Sequence, residues 1–548
     1  VLTTSCADDP SSTLEVDSLS RSSYVATAVS SFYLQHRFET ISGLPVDSTS
    51  IVFVGNSITH GNEWWECFGD DPRVVNRGVW GTTSAATLYY IENILTGRPD
   101  KLVLLIGTND IQGGTPADTI AANVGLILQR AALESPRTEL FVVSIFPSEQ
   151  GIRTLDEIRR VNALLREECL RRGATYVDLF DDMLGIVDRT LSVDGLHLSA
   201  DGYARWCAAM APLLGLNVSL ASPVQLDASI AGVAAMRSQL CASLTNSRSD
   251  ALLIGGEFFT GTQWHELMGT TRVRCRAYGY GYASTPFKLI HSQTSQLLRG
   301  GRATEPRAVM FYGCDNEIIN LTASPEQMVD SCLALFDEIA AQWPRTALMG
   351  LSLLPVRNYQ LNQRINRFNS LLCDSLTARG YWYVDINSQM LRADGVTPLY
   401  PEMNNDFAGS GAYALVAQTL APYVAGANPI TASRSKAYAA KATARNRCGL
   451  ILNELLPRLE QLPTAQSYDF FHTAMLTAIA PLQLGEAVTA AQLEEMETQL
   501  RRIIADVDQC PADGSGSVEP FISPAENPRE LPHPQRPPGD KDSNPPLQ

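Results

Sequence analysis

Ser57, Gly78, Asn109, Asp194 and His197 are residue types that together can attack a carbonyl carbon. Ser57 lies in Val54-Gly55-Asn56-Ser57-Ile58-Thr59, where the apolar run 51–54 ends. A serine on a sharp turn leaving a buried strand presents its hydroxyl as a nucleophile. The hydroxyl needs a base to take its proton, and His197 is the candidate. Asp194, three residues earlier, can bond the imidazole Nδ1, fix the tautomer with Nε2 facing Ser57, and stabilise the imidazolium. The attack produces an oxyanion. The Ser57 N–H, the Gly78 N–H and the Asn109 side-chain amide are the expected donors, with Gly78 a glycine so that backbone can approach the substrate oxygen.

These residues need a scaffold that gathers them on one edge. Apolar runs at 51–54, 73–76, 101–106, 139–146 and 175–180 read as buried parallel strands. Helical patterns near 82–96, 118–134, 154–172 and 199–214 lie between or after them. The alternation predicts a five-stranded, doubly wound sheet. Each signal follows a strand: Ser57 the first, Gly78 the second, Asn109 the third, and Asp194 with His197 the fifth. Open α/β sheets place ligand sites beyond the carboxyl ends of their strands.

The layout then recurs. Val54-Gly55-Asn56-Ser57 matches Ile254-Gly255-Gly256-Glu257, and Trp64, Glu66 and Gly69 match Trp264, Glu266 and Gly269. Pro136-Arg137-Thr138 matches Pro344-Arg345-Thr346, and Ser144-Ile145-Phe146-Pro147 matches Ser352-Leu353-Leu354-Pro355. Matches in one order indicate two copies of one fold. In this register Ser57 becomes Glu257, Asn109 becomes Asp315, Asp194 becomes Asn404 and His197 becomes Phe407, while Gly78 falls at Ala277 or Tyr278. The second copy is expected to be catalytically dead. It is either a decayed buttress, a binding module with an aromatic groove of Trp264, Tyr278, Tyr280 and Tyr282, or a different acid–base or cation site built from Glu257, His265 and Asp315.

The four blocks around Ser57, Gly78, Asn109 and His197 resemble the SGNH (GDSL) hydrolases, over roughly residues 25–215. Asp194 matches the third member of that family's triad. One departure is Asn56, where the family carries Asp; its side chain is expected to support the turn. Within the family the chain looks most like acetylesterases and the platelet-activating-factor acetylhydrolase type. The resemblance implies ester hydrolysis through an acyl-enzyme, with no metal and no other cofactor. The expected activity is removal of acetyl or other short acyl groups from a glycan or small ester. The competing reading is a surface glycan-binding lipoprotein with incidental or no esterase activity.

Neighbouring side chains have structural readings too. His60 stands either on the rim of the site or on plain surface, Trp64 and Trp65 pack a helix or wall the acyl pocket, and Arg77 meets an anionic substrate or a structural carboxylate.

The expected architecture is therefore two tandem doubly wound, flavodoxin-like parallel-sheet domains, then a small all-α segment and a disordered Pro-rich tail. The divisions fall at 1–22 (a Ser- and Asp-rich tether), 23–218, 219–428, 429–510 and 511–548. A formal net charge of −16 over 548 residues argues against nucleic acid and anionic membrane surfaces as partners. No apolar stretch is long enough to span a bilayer. The eleven Cys lack metal-type spacing and read as small core residues, although Cys448 and Cys510 could pair in an oxidising compartment. Small residues before Cys6, with acidic and Ser-rich residues after it, resemble the end of a bacterial lipoprotein signal. Cys6 would then carry lipid, residues 1–5 would be removed, and the protein would be extracytoplasmic, tethered to the outer membrane or cell surface.

Overall fold

The structure, a computed structural model, describes residues 32–220, 232–279, 285–392, 398–400, 409–426 and 432–510. Cys6, Tyr280, Tyr282, Asn404, Phe407 and the two terminal segments expected to be tether and tail lie outside them.

Two five-stranded parallel sheets form the framework. The first contains β1 (Ile51–Gly55), β2 (Val74–Gly78), β3 (Lys101–Leu105), β4 (Glu139–Val143) and β5 (Thr175–Val177), in the order β2-β1-β3-β4-β5. β1 is buried along its whole length, as a strand covered on both faces must be. Three of the helices that flank the sheet start on side-chain caps. Thr83 accepts from Ala86 N, Thr154 from Glu157 N, and Ser199 from Gly202 N. The switch in strand order lies between β1 and β3, so the loops carrying Ser57 and Asn109 flank the crevice where such sheets bind ligands.

The second sheet repeats this order with β6 (Ala251–Gly255), β7 (Val273–Cys275), β8 (Ala308–Tyr312), β9 (Ala347–Leu351) and β10 (Trp382–Val384). Both β4 and β5 are shorter than their apolar runs suggest. The Asn162 side chain bonds both the N–H and the carbonyl of Ile145, and Ser144 Oγ accepts from Leu179 N, which pulls the backbone out of the ladder. Asn369 and Ser352 do the same in the second copy, on Leu353, Ile386 and Asn387.

The two copies pack across a pseudo-two-fold axis. Arg77 of β2 is fully buried and pairs with Glu266 at 2.7 Å, while Arg276 just past β7 pairs with Glu66 at 2.7 Å. Arg37 donates to the Gly261 carbonyl, and Arg237 donates to the Gly61 carbonyl at 3.2 Å. Each contact is matched by its counterpart with the copies exchanged, the signature of an isologous interface within one chain.

Helices Ala432–Leu459, Ala465–Ile479 and Ala490–Asp508 share a separate core that includes Leu452, Leu455, Leu493 and Leu500. The first of them is tied to the second copy by Asn446 Nδ2, which donates to Tyr383 Oη at 3.0 Å. Cys448 and Cys510 are both free thiols, and Cys448 Sγ donates to the Leu493 carbonyl, so the pairing considered from sequence is absent. No helix among the described residues is long and apolar enough to cross a membrane.

Candidate active site

β1 ends at Gly55, where a Cβ would lie 2.4 Å from the Leu105 carbonyl oxygen of β3. The chain then turns sharply. Asn56 Oδ1 accepts from Ile58 N at 3.0 Å and caps a single helical turn, Ser57–His60, so Asn56 supports the turn. As the first residue of that turn, Ser57 has an N–H with no acceptor among the described residues. Tyr203 Oη donates to the Ile58 carbonyl at 2.8 Å and holds the turn from the helix that follows His197.

Ser57 Oγ lies 3.1 Å from His197 Nε2, and His197 Nδ1 lies 2.8 Å from Asp194 Oδ2. Asp194 Oδ1 also accepts from the N–H groups of Leu196 and His197, so the carboxylate shapes the loop as well as the imidazole. Burial raises the Asp194 pKa, but the bonds from the His197 ring and the two backbone N–H groups outweigh it and leave the group below its ordinary value. The ionised carboxylate selects the tautomer with hydrogen on Nδ1 and a lone pair on Nε2 toward the hydroxyl. Gly195 has φ +84°, and its carbonyl accepts from Glu149 N and Ser148 Oγ, which pins the loop to the segment that follows β4. Ser57 and His197 are both more than nine-tenths buried.

The expected donor Gly78 does not fit its role. Its N–H is spent on Asn76 Oδ1 at 2.9 Å. A Cβ there would meet the His60 nitrogen at 2.3 Å, so Gly78 is glycine because the nucleophile turn packs on β2. Sequence reasoning missed Gly81. It has φ +75°, and its N–H has no acceptor among the described residues. It stands between Trp80, whose ring stacks on His197, and Thr82, whose carbonyl accepts from Asn109 Nδ2 at 2.9 Å. The second proton of the Asn109 amide is left for another acceptor. Behind Asn109, the Asp110 carboxyl, whose pKa burial raises, accepts from Ser84 N and Oγ and fastens this loop to the helix Ser84–Leu95. The signal for Gly81 was the second glycine of Gly78-Val79-Trp80-Gly81.

The neighbouring side chains turn out to be structural. Trp64 is core, stacked on Phe53 at 4.0 Å, and Trp65 is buried against the second copy. Arg77 serves the interface, and His60 bonds the Thr260 backbone across it rather than standing on open surface.

In the second copy, Gly255 O accepts from Tyr278 N as Gly55 O accepts from Val79 N, so Ala277 stands opposite Gly78. Gly55 pairs with Leu105 and Gly255 with Tyr312, which sets Asn316, not Asp315, opposite Asn109. The amide is therefore retained. Glu257 holds the Ser57 position, and Gly279 replaces Trp80: a Cβ at 279 would come within 2.4 Å of Glu257 Oε2. Trp264 and Tyr278 are buried and form no groove. His265 faces Trp65 of the first copy, and no cluster of His, Cys, Asp and Glu suited to a metal ion exists among the described residues.

Residues 53–205 match the GDSL-like lipase/acylhydrolase family. No curated protein matches the chain. Solved structures that resemble it include a Streptococcus pneumonia protein named for platelet activating factor (29% identity, 35% of this chain and 95% of that one, TM-score 0.31). Others are a GDSL-like lipase from Bacteroides thetaiotaomicron (22%, 34% and 98%, TM-score 0.30) and a catalytic mutant of an acetylxylan esterase from Geobacillus stearothermophilus (15%, 32% and 97%, TM-score 0.27).

Proposed function

We propose that this chain, which carries a GDSL-like lipase/acylhydrolase domain at residues 53–205, is a serine esterase that removes acetyl or other short acyl groups from a glycan or small ester. The observation that carries the reading is the continuous run from Ser57 Oγ through His197 to Asp194. In acylation Ser57 Oγ bonds to the ester carbonyl carbon while its proton passes to His197 Nε2. The carbonyl oxygen becomes an oxyanion held by the Ser57 N–H, the Gly81 N–H and Asn109 Nδ2. Collapse breaks the bond to the leaving alcohol, which takes the proton from His197. Water, activated by the same imidazole, then releases the acid. The burial of Ser57 and His197 supports a narrow acyl group.

The second copy, with Glu257 where the nucleophile would stand, does not hydrolyse esters by this route. Lipid attachment at Cys6 and an extracytoplasmic location belong to the same proposal and rest on the sequence around Cys6; an acylated glycan of the cell surroundings is then the substrate within reach. Hydrolysis of p-nitrophenyl acetate by the full chain, lost in Ser57→Ala, tests the activity. Equal rates for the two proteins would overturn it.

A further inference from the structure

Trp80 lies between the catalytic loop and the second copy. Its indole stacks on the His197 imidazole, with ring centroids 4.9 Å apart and planes 15° from parallel. On another side the His60 ring stands nearly perpendicular to it, 6.4 Å away. His60 is in turn bonded to the backbone of Thr260, its counterpart in the second copy. Burial, with the guanidiniums of Arg37 and Arg237 adding to it, holds the His60 pKa well below the ordinary imidazole range. The ring behind Trp80 is therefore neutral, and of the two imidazoles against it only His197 becomes a cation during turnover. The indole is 8% exposed, so the contact is shielded from water, where a cation facing an aromatic ring is attracted most strongly.

We propose that Trp80 is a positioning residue for the base: its π face holds the His197 ring in line with Ser57 and stabilises the imidazolium formed when the serine proton arrives. The second copy contributes by fixing His60, which backs the indole. In the second copy itself, Glu257 stands at the nucleophile position and Gly279 at the Trp80 position, so ring and hydroxyl are absent together. This inference rests on the hydrolase reading above.

The test uses the full chain and p-nitrophenyl acetate. Trp80→Leu lowers kcat/KM by roughly 3- to 30-fold, the range of cation–π contacts from exposed to shielded. Because Leu could also disturb packing, the deciding series replaces Trp80 site-specifically with mono-, di- and trifluorotryptophan, which keep the shape of the ring and drain its π density. The expected result is a stepwise fall of log(kcat/KM) with fluorine number at unchanged melting temperature. An active wild type with a flat fluorine series overturns the role of Trp80 and leaves the hydrolase reading standing. An inert wild type overturns both.

Discussion

Trp65 and His265 occupy equivalent positions in the two copies and stack on each other, with ring centroids 4.5 Å apart and planes 25° from parallel. The pseudo-two-fold axis therefore passes between them. Burial lowers the His265 pKa, so the ring meets Trp65 as a neutral imidazole. Around this pair the interface is closed by buried ion pairs in reciprocal places, and these link the stability of both copies.

The Glu66 carboxylate accepts from Arg276 and from Arg274, and all three side chains are buried. Glu66→Gln leaves the buried Arg276 guanidinium without its carboxylate, while Arg274 keeps Asp70 and Asp250, and is expected to cost about 3–5 kcal/mol. Urea denaturation measures this. A loss under about 1 kcal/mol would show that water or other carboxylates replace Glu66 without strain.

The same residue sets an acid limit. Burial raises the Glu66 pKa, but Arg276 and Arg274 outweigh it and the net value is lowered. A carboxyl lowered by folding contributes stability that is fully present above its unfolded value, about 4.3, and is lost as pH falls through the folded value. Melting temperature should therefore drop steeply below about pH 4. That drop should be shallower in Glu66→Gln; identical acid limbs in the two proteins would contradict the assignment.

Asp194→Asn keeps the shape of the loop but removes the carboxylate that selects the His197 tautomer. Turnover should fall about 10⁴-fold, as when a triad carboxylate is replaced by its amide. The ratio of wild-type to variant kcat with p-nitrophenyl acetate checks this, and a loss below about tenfold would reduce Asp194 to a loop support.

Asn109→Ala and Gly78→Ala separate chemistry from packing. The first removes a donor from the site and should lower kcat about 10²–10³-fold in a folded protein. The second drives a methyl group into the backbone of the nucleophile turn and should cost about 3 kcal/mol or more in stability. A stable Gly78→Ala protein with a selective loss of kcat would return Gly78 to the oxyanion role.

The sheet was legible because each strand is built on a short apolar run, from Ile51–Gly55 to Thr175–Val177, and helical patterns near 82–96, 118–134, 154–172 and 199–214 separate or follow them. Ser57, Asp194 and His197 were legible because each sits just past a strand or in a short loop with a partner three residues away. Gly78 was chosen over Gly81 because spacing cannot show that Asn76 consumes the first N–H while a left-handed φ frees the second. The slip at Asp315 has a similar origin. Matching Gly107 to Gly313 assumes that the left-handed position keeps its glycine, whereas Cys314 adopts it with φ +76°. The interface was hidden because the partners of Glu66 and Arg77 lie in the other copy, far along the chain. Only packing reveals that repeated positions meet each other.

Mass-spectrometric mapping of a fluorophosphonate adduct on the full chain bears most directly on the claim that Ser57 is a nucleophile activated by His197. The account predicts a single adduct on the Ser57 peptide, absent in Ser57→Ala and formed far more slowly in His197→Ala. An adduct on another serine, or ester hydrolysis that persists undiminished in Ser57→Ala, would contradict it.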